Sequence, residues 1–283
     1  MIPLTRLKKD VQFNGEFTKV VDVMKGIAAA RYYMLERQLS LFEQFFKVAG
    51  ELLAVIDFKR VSHPFVRQRT EAASVLMITS DAGFLGGLNT QVVNMGLSEG
   101  GSDALLTVVG ERGAGILRDL RREFALFPGV EDSKRFLLAV RVRDHLVDQV
   151  LKGQTGRLIV VYPKPISFAV QEVTVETLLP CSAWIPKDGG AAAGEVVWES
   201  ELEDVVEYVV AQWISRYLDK VFARSRLSEL AARAVHLEGS YQELIRFGKK
   251  LKFQYFRARH EVIDRSMREI FASQLFCGKE HED

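Results

Sequence analysis

The chain has 283 residues, 48% of them hydrophobic and 27% charged, with a formal net charge of +1. That is apolar material enough for one large domain or two small ones, while the near-neutral balance provides no field to hold the chain on nucleic acid or on an anionic membrane. No stretch reaches the roughly 18 consecutive apolar residues that a membrane-spanning helix needs.

The N-terminus, Met-Ile-Pro-Leu-Thr-Arg-Leu-Lys-Lys-Asp, has neither the apolar core of a signal peptide nor the acid-poor, Arg/Ser-rich character of a transit peptide. The chain is therefore expected to stay in the compartment where it is made. No proline lies between Pro3 and Pro64. An interior proline costs a helix about 3 kcal/mol, so its absence allows one unbroken helix here. Steps of three and four residues from Leu4 meet Leu7, Val11, Asn14, Thr18, Val21, Lys25, Ala28, Tyr32, Leu35, Leu39, Phe42, Phe46, Ala49, Leu53 and Ile56. Only Asn14, Thr18 and Lys25 break the apolar register. A period of 3.5 keeps one stripe facing a partner helix, which is the condition for supercoiling. At about 1.5 Å per residue, some fifty residues make a rod of roughly 75 Å, longer than a small domain is wide.

The middle of the chain, which holds Pro128, Pro163, Pro165 and Pro180, reads as α/β. Ala73–Ile78 is an apolar, β-branched strand, followed by a helix at Thr90–Leu97. Ala104–Val109 is a second strand. Gly110, Gly113 and Gly115 make the turn into a helix at Ile116–Phe124, and Ser133–Lys152 is a further amphipathic helix. Arg157–Tyr162 is a third strand, and Phe168–Leu178, with alternating polarity, a fourth. Strands alternating with helices predict a small parallel sheet of Rossmann-like type. Lys187–Gly194 is expected to be a flexible linker.

No proline follows Pro186. From Leu227 the seam continues through Leu230, Ala234, Leu237, Tyr241, Leu244, Gly248, Leu251, Tyr255, Ala258 and Val262. It then drifts to Ile263, Met267 and Ile270, as expected of a less tightly supercoiled stretch. Leu202, Val205, Val209 and Trp213 extend the helical period back to about Glu199. Gly239 and Gly248, each costing about 1 kcal/mol against alanine, are read as permitting close helix approach. The fold class is thus α/β. A long antiparallel two-helix coiled coil comes from the N- and C-terminal helices (1–62 and 199–276), and a small Rossmann-like parallel-sheet lobe from residues 70–186.

Few motifs suggest chemistry. Gly110–Gly115 lies between strand and helix but lacks the spacing of a dinucleotide site or a phosphate loop, and reads as a tight turn. Ser80-Asp81-Ala82-Gly83-Phe84-Leu85-Gly86-Gly87-Leu88-Asn89 suits either an anion held at a helix start or a sharp glycine turn with Asn89 capping the helix. The histidines, His63, His145, His236, His260 and His281, are not paired at helical spacing, and His281 near Cys277 lacks further ligands, so no metal site is expected. Cys181 and Cys277 are read as two separate buried or idle thiols. No Gly-x-Ser-x-Gly string offers a serine nucleophile. Residues 246–268 carry eight Lys or Arg against Glu261 and Asp264, either a solvated face or a positive collar for an acidic partner. No catalytic residue, cofactor site or metal site is expected. The residues alone leave open a shaft, an intracellular coiled-coil scaffold and a ligand-binding protein with an α/β lobe.

Five strings, in order, resemble the gamma subunit of F-type ATP synthases over about Leu4 to Ile270. Met24-Lys25-Gly26-Ile27-Ala28-Ala29 resembles that family's Met-Lys-x-Val-Ala-Ala. Ser80–Asn89 resembles its Ser-Asp-Arg-Gly-Leu-Cys-Gly-Gly-Leu-Asn. Leu178-Leu179-Pro180 is similar to its Leu-Leu-Pro, Ser228–Arg233 to its Ser-Glu-x-Ala-Ala-Arg, and Tyr255–Arg259 to its Tyr-Asn-x-Ala-Arg. The resemblance implies a non-catalytic central-stalk rotor. Its partners would be the α and β subunits of the catalytic ring, the epsilon subunit and the membrane ring of c subunits, driven by protons or sodium ions. It also implies a peripheral location on the cytoplasmic side of a bacterial inner or plasma membrane, with nucleotide and Mg²⁺ bound by the ring. Met24, Lys25, Arg259, His260 and Asp264 are the positions implied to contact the ring, and Ser80, Asp81, Gly83, Gly86, Gly87 and Asn89 form the lobe's turn motif. Phe256, His260, Asp264 and Ser266 replace the family's Asn, Gln, Thr and Glu, while Ala82 and Leu85 replace its Arg and Cys. These departures mark a divergent or alternative-type member.

Overall fold

The computed structural model describes residues 3–56, 58–181 and 199–277. The expected linker at Lys187–Gly194, His281 and the tail Lys279–Asp283 lie outside them. The chain divides into two compact units, residues 28–235 and the paired segments 1–27 and 236–283.

The larger unit is built on five strands: β1 (Ala73–Ile78), β2 (Leu105–Val109), β3 (Ala125–Phe127), β4 (Arg157–Pro165) and β5 (Gln171–Leu179). Their order is β3-β2-β1-β4-β5. The first four run parallel, and β5 returns antiparallel beside β4, so the sheet is mixed at one edge. Helices α3 (Leu88–Gly100), α4 (Glu111–Asp119) and α5 (Arg135–Leu151) connect the strands. Every residue of β1 is buried, because both faces of the sheet are covered. Val75, Met77, Val108 and Val161 pack against Val92, Val93 and Leu117 of α3 and α4. Leu76, Ile78, Val160 and Tyr162 pack on the other face with α5 and with Val206–Phe222 of the C-terminal helix α6 (Leu202–Cys277). Two-sided burial is why the central strands are continuous apolar runs rather than alternating ones.

Strand β3 is not legible in the sequence. At three residues it is too short to show a period, and its pairing with Thr107–Val109 defines it. The helix read at Ile116–Phe124 instead begins at Glu111 and ends at Asp119. Only the first glycine of that cluster turns: Gly110 sits at φ 99°, and a Cβ on it would stand 2.6 Å from the Thr79 carbonyl oxygen. Gly113 and Gly115 belong to α4 itself.

The N-terminal region is two helices, α1 (Leu4–Glu36) and α2 (Ser40–Val55), in place of the single helix expected. No proline or glycine lies at the break. The backbone tightens there to bonds from Gln38 to Leu35, Leu39 to Glu36 and Phe42 to Leu39. The turn lets α2 bring Phe46 against Trp213 and Tyr217 and Leu53 into the core beneath the sheet. Lys220 lies 4.6 Å from the Phe46 ring and Arg135 5.7 Å from that of Phe42. Tertiary packing thus overrides local helix propensity.

In both units, α1 runs antiparallel to α6. Tyr32 and Leu35 pack with Leu227, Leu230 and Ala231 in the larger unit. In the smaller one Asn14 bonds to Leu244 and Lys25 to Glu238. Of the two helix glycines, Gly248 meets α1 closely, whereas Gly239 has nothing within 4 Å of an added Cβ and permits no close approach. The drift at Ile263, Met267 and Ile270 falls past the level of the α1 start at Leu4. All three are exposed.

Two outcomes follow. Phe222, fully buried between α6 and the sheet, should cost about 3–5 kcal/mol when replaced by alanine, read as a lower urea midpoint at unchanged slope. The Cys181 thiol is buried and pushed up to about 12 by desolvation. At pH 8 it should resist iodoacetamide in the folded chain and alkylate when urea unfolds the lobe, as mass spectrometry of its peptide will show.

Candidate functional site

The turn motif after β1 is a brace. The backbone N–H of Ser80 and the Asn89 side chain bond to each other, and the Asn89 amide also donates to the Ser80 hydroxyl at 3.0 Å. Asn89 therefore clamps its helix to β1 from inside the first turn; the N-cap position is Gly87. Asp81 accepts from the backbone N–H of Glu111 at 2.9 Å and of Gly129 at 3.1 Å, tying the start of α4 and the loop after β3 to the end of β1. The Gly83 carbonyl accepts from Arg233 Nε at 3.3 Å.

Arg233 joins this turn to a second sequence string. Glu229, almost buried on α6, accepts from both Arg226 and Arg233, and Arg226 Nε lies 3.9 Å from Asp132. Leu85 and Leu88 of the turn pack on Ala232. In an open α/β sheet a ligand binds beyond the carboxyl ends of the strands. Here Arg233 and Ala232 of α6 lie against the turn beyond β1, and Ser80, Asp81, Gly83 and Asn89 bond within the protein as a structural joint. The pairs of Glu229 with Arg226 and Arg233 stand at helical spacings of three and four that the sequence shows, but only the fold brings Asp132 and Gly83 to α6.

The smaller unit presents a different surface. Phe13, Phe17, Val20, Met24 and Ile27 are exposed on α1 and form a second stripe at steps of four and three residues, turned away from the seam. The pattern was present in the sequence, hidden behind the stronger inward stripe. On α6, Phe247, Phe253, Phe256, Val262, Ile263, Met267, Ile270 and Phe271 are also exposed, the last at 63%. So many large apolar side chains left exposed mark an interaction face.

The implied contact residues fall into two bands. Met24 lies in the outward stripe, 36% exposed. Lys25 beside it turns inward, 2.9 Å from both Asp22 and Glu238 and 4.4 Å from the Tyr241 ring centre. Hydrogen bonds that its ammonium donates to Asp22 and Glu238 hold its pKa well above the usual lysine range. Arg259, His260 and Asp264 are exposed on α6, some twenty residues, or roughly 30 Å of helix, from the level of Met24. The basic residues of 246–268 are exposed as well. Arg246 pairs with Glu243 and Arg257 with Glu261.

Known proteins resemble the chain along its length. It is 27% identical over 273 residues to the ATP synthase gamma chain of Clostridium pasteurianum, covering 94% of this chain and 96% of the relative. It is 28% identical over 280 residues to that of Rhodopirellula baltica, covering 89% and 91%. In fold it resembles a chain of the Euglena gracilis mitochondrial ATP synthase structure of OSCP, F1 and c-ring, with a TM-score of 0.68 at 18% identity over 99% of this chain and 96% of that one. It likewise resembles a chain of the Tetrahymena thermophila central stalk and c-ring, with a TM-score of 0.60 at 19% identity over 78% and 99%. The family model described as ATP synthase matches residues 4–274, and the chain belongs to that family.

Proposed function

We propose that this chain is the central-stalk rotor, the gamma subunit, of a rotary F-type ATP synthase, and that the chemistry takes place on its partners. One observation carries the reading: a helix pair that carries exposed apolar side chains on its outward faces as well as buried ones in its seam, among them Phe13, Phe17 and Met24 on α1 and Phe253 and Phe256 on α6. A surrounding ring of α and β subunits would cover them. Residues 1–62 and 199–276 act as the shaft, and residues 70–186 as the foot that meets the epsilon subunit and the ring of c subunits. Met24, Lys25, Arg259, His260 and Asp264 stand along the shaft where the ring would pass, and the basic residues of 246–268 suit an acidic partner surface. The assembly lies peripherally on the cytoplasmic side of a bacterial inner or plasma membrane.

Coupling requires only that the shaft touch one conformation of a catalytic subunit better than another. A tenfold shift between two conformations needs about 1.4 kcal/mol. At about 25 cal/mol per Å² that is roughly 55 Å² of apolar surface, a fraction of one aromatic side chain. Exposed rings such as Phe253 and Phe256 therefore have ample area to bias a partner as the shaft turns.

Co-expression with the α and β subunits of an F-type ATP synthase from the same organism should yield a ring containing one copy of this chain and hydrolysing ATP, while the purified chain alone hydrolyses none. Recovery of α and β without it, or turnover by the chain alone, refutes the rotor role. Met24→Lys puts a cation in the outward apolar stripe. It should lower ion transport per ATP hydrolysed in reconstituted vesicles, and an unchanged ratio counts against contact at Met24.

A further inference from the structure

An apolar heptad seam is nearly indifferent to sliding by seven residues, because leucine meets leucine again about 10 Å further along. This seam has polar interruptions, and the structure shows what they do. Asn14 is only 8% exposed, and its amide nitrogen donates to the Leu244 carbonyl of the opposite helix at 3.2 Å. It fits because residue 248 is glycine: a Cβ there would stand 2.5 Å from the Asn14 amide nitrogen. The Thr18 hydroxyl turns back to the Asn14 carbonyl at 2.6 Å and takes no part across the seam.

Lys25, three steps along the seam, makes a second cross-helix polar contact, with Glu238 and the face of Tyr241. Counting outward from Asn14 opposite Gly248 brings Lys25 level with Leu237, whose helix neighbours are Glu238 and Tyr241. Both contacts therefore specify the same alignment. A slide of one heptad in either direction sets Asn14 opposite Tyr241 or Tyr255. The amide is then buried against a ring in place of the slot, and its lost hydrogen bond is costly. The same slide carries Lys25 about 10 Å from Glu238.

We infer that Asn14 in the slot left by Gly248, together with Lys25 on Glu238, is a register key that fixes the axial alignment of α1 on α6. The key sets how far α6 runs on past the start of α1, and so where its apolar overhang stands. It is a property of this chain's own helices and holds whether or not the chain turns in a ring. Polar residues in a seam select one register at a cost in stability. Replacing them with apolar residues should leave the pair as stable or more so, but no longer unique.

The test uses the full-length chain with Cys277→Ser, spin-labelled at the exposed sites Lys19→Cys and Arg265→Cys, with distances measured by pulsed electron–electron resonance. The parent should give one distance. Asn14→Leu with Lys25→Leu should add a second population displaced by about 10 Å, at a melting temperature no lower than the parent's. Gly248→Ala with Lys25→Leu, which closes the slot and leaves Asn14 in place, should add the same population. A single parental distance in both variants overturns the inference. So does loss of helix in the leucine variant, which would make the polar contacts a source of stability rather than of register.

Discussion

Segments about two hundred residues apart in sequence must meet along a stripe that repeats every 3.5 residues, and in the larger unit the sheet and its helices are built around the same helix α6. Closing so long a loop is entropically costly, though the cost grows only slowly with length, by about 0.6 kcal/mol per doubling. The seam offsets it with a run of buried side chains: Leu7, Val21, Leu237 and Leu251 in the smaller unit, Tyr32, Leu35, Leu227 and Leu230 in the larger. Helix α6 is central to both. Its Val206–Phe222 stretch covers one face of the sheet, and further along it pairs with α1.

That double use explains why the lobe looks like a nucleotide-binding fold and is built as a joint. The glycine-rich turn after β1 has the composition of a ligand loop, but its polar groups face inward, to Asn89, Glu111, Gly129 and Arg233. Glu229 then binds Arg226 and Arg233 together on α6. Removing one partner from such a partly buried ionic group leaves the others uncompensated, so the joint is stiff for reasons of solvation as well as geometry. A stiff joint between helix and lobe is what a rotor needs to pass torque.

The smaller unit spends its apolar residues in two directions. One stripe makes the seam; the other, with the overhang of α6, faces outward. Exposed rows of large apolar side chains mark an interaction face, which is why these faces argue for a partner. The polar interruptions of the inner stripe have a complementary role, since apolar contacts alone hold two helices together without choosing an alignment.

Much of this was legible in the residues. The seam, the end helices and the apolar central strands follow from periodicity and composition, because a 3.5-residue stripe and a two-sided strand each leave a pattern that only burial explains, while the family strings stand in the sequence as a resemblance. The break between α1 and α2, the three-residue β3, the start of α4 at Glu111 and the antiparallel turn of β5 were decided by tertiary packing. Each depends on a contact distant in sequence, such as Phe46 on Trp213 or Thr107 beside Ala125. Likewise Asn14, Lys25 and Gly248 read along the chain as blemishes in a heptad. Only their positions across the seam, one amide in one slot and one ammonium on one carboxylate, turn them into a register, because alignment is a relation between two helices and neither sequence segment contains it alone.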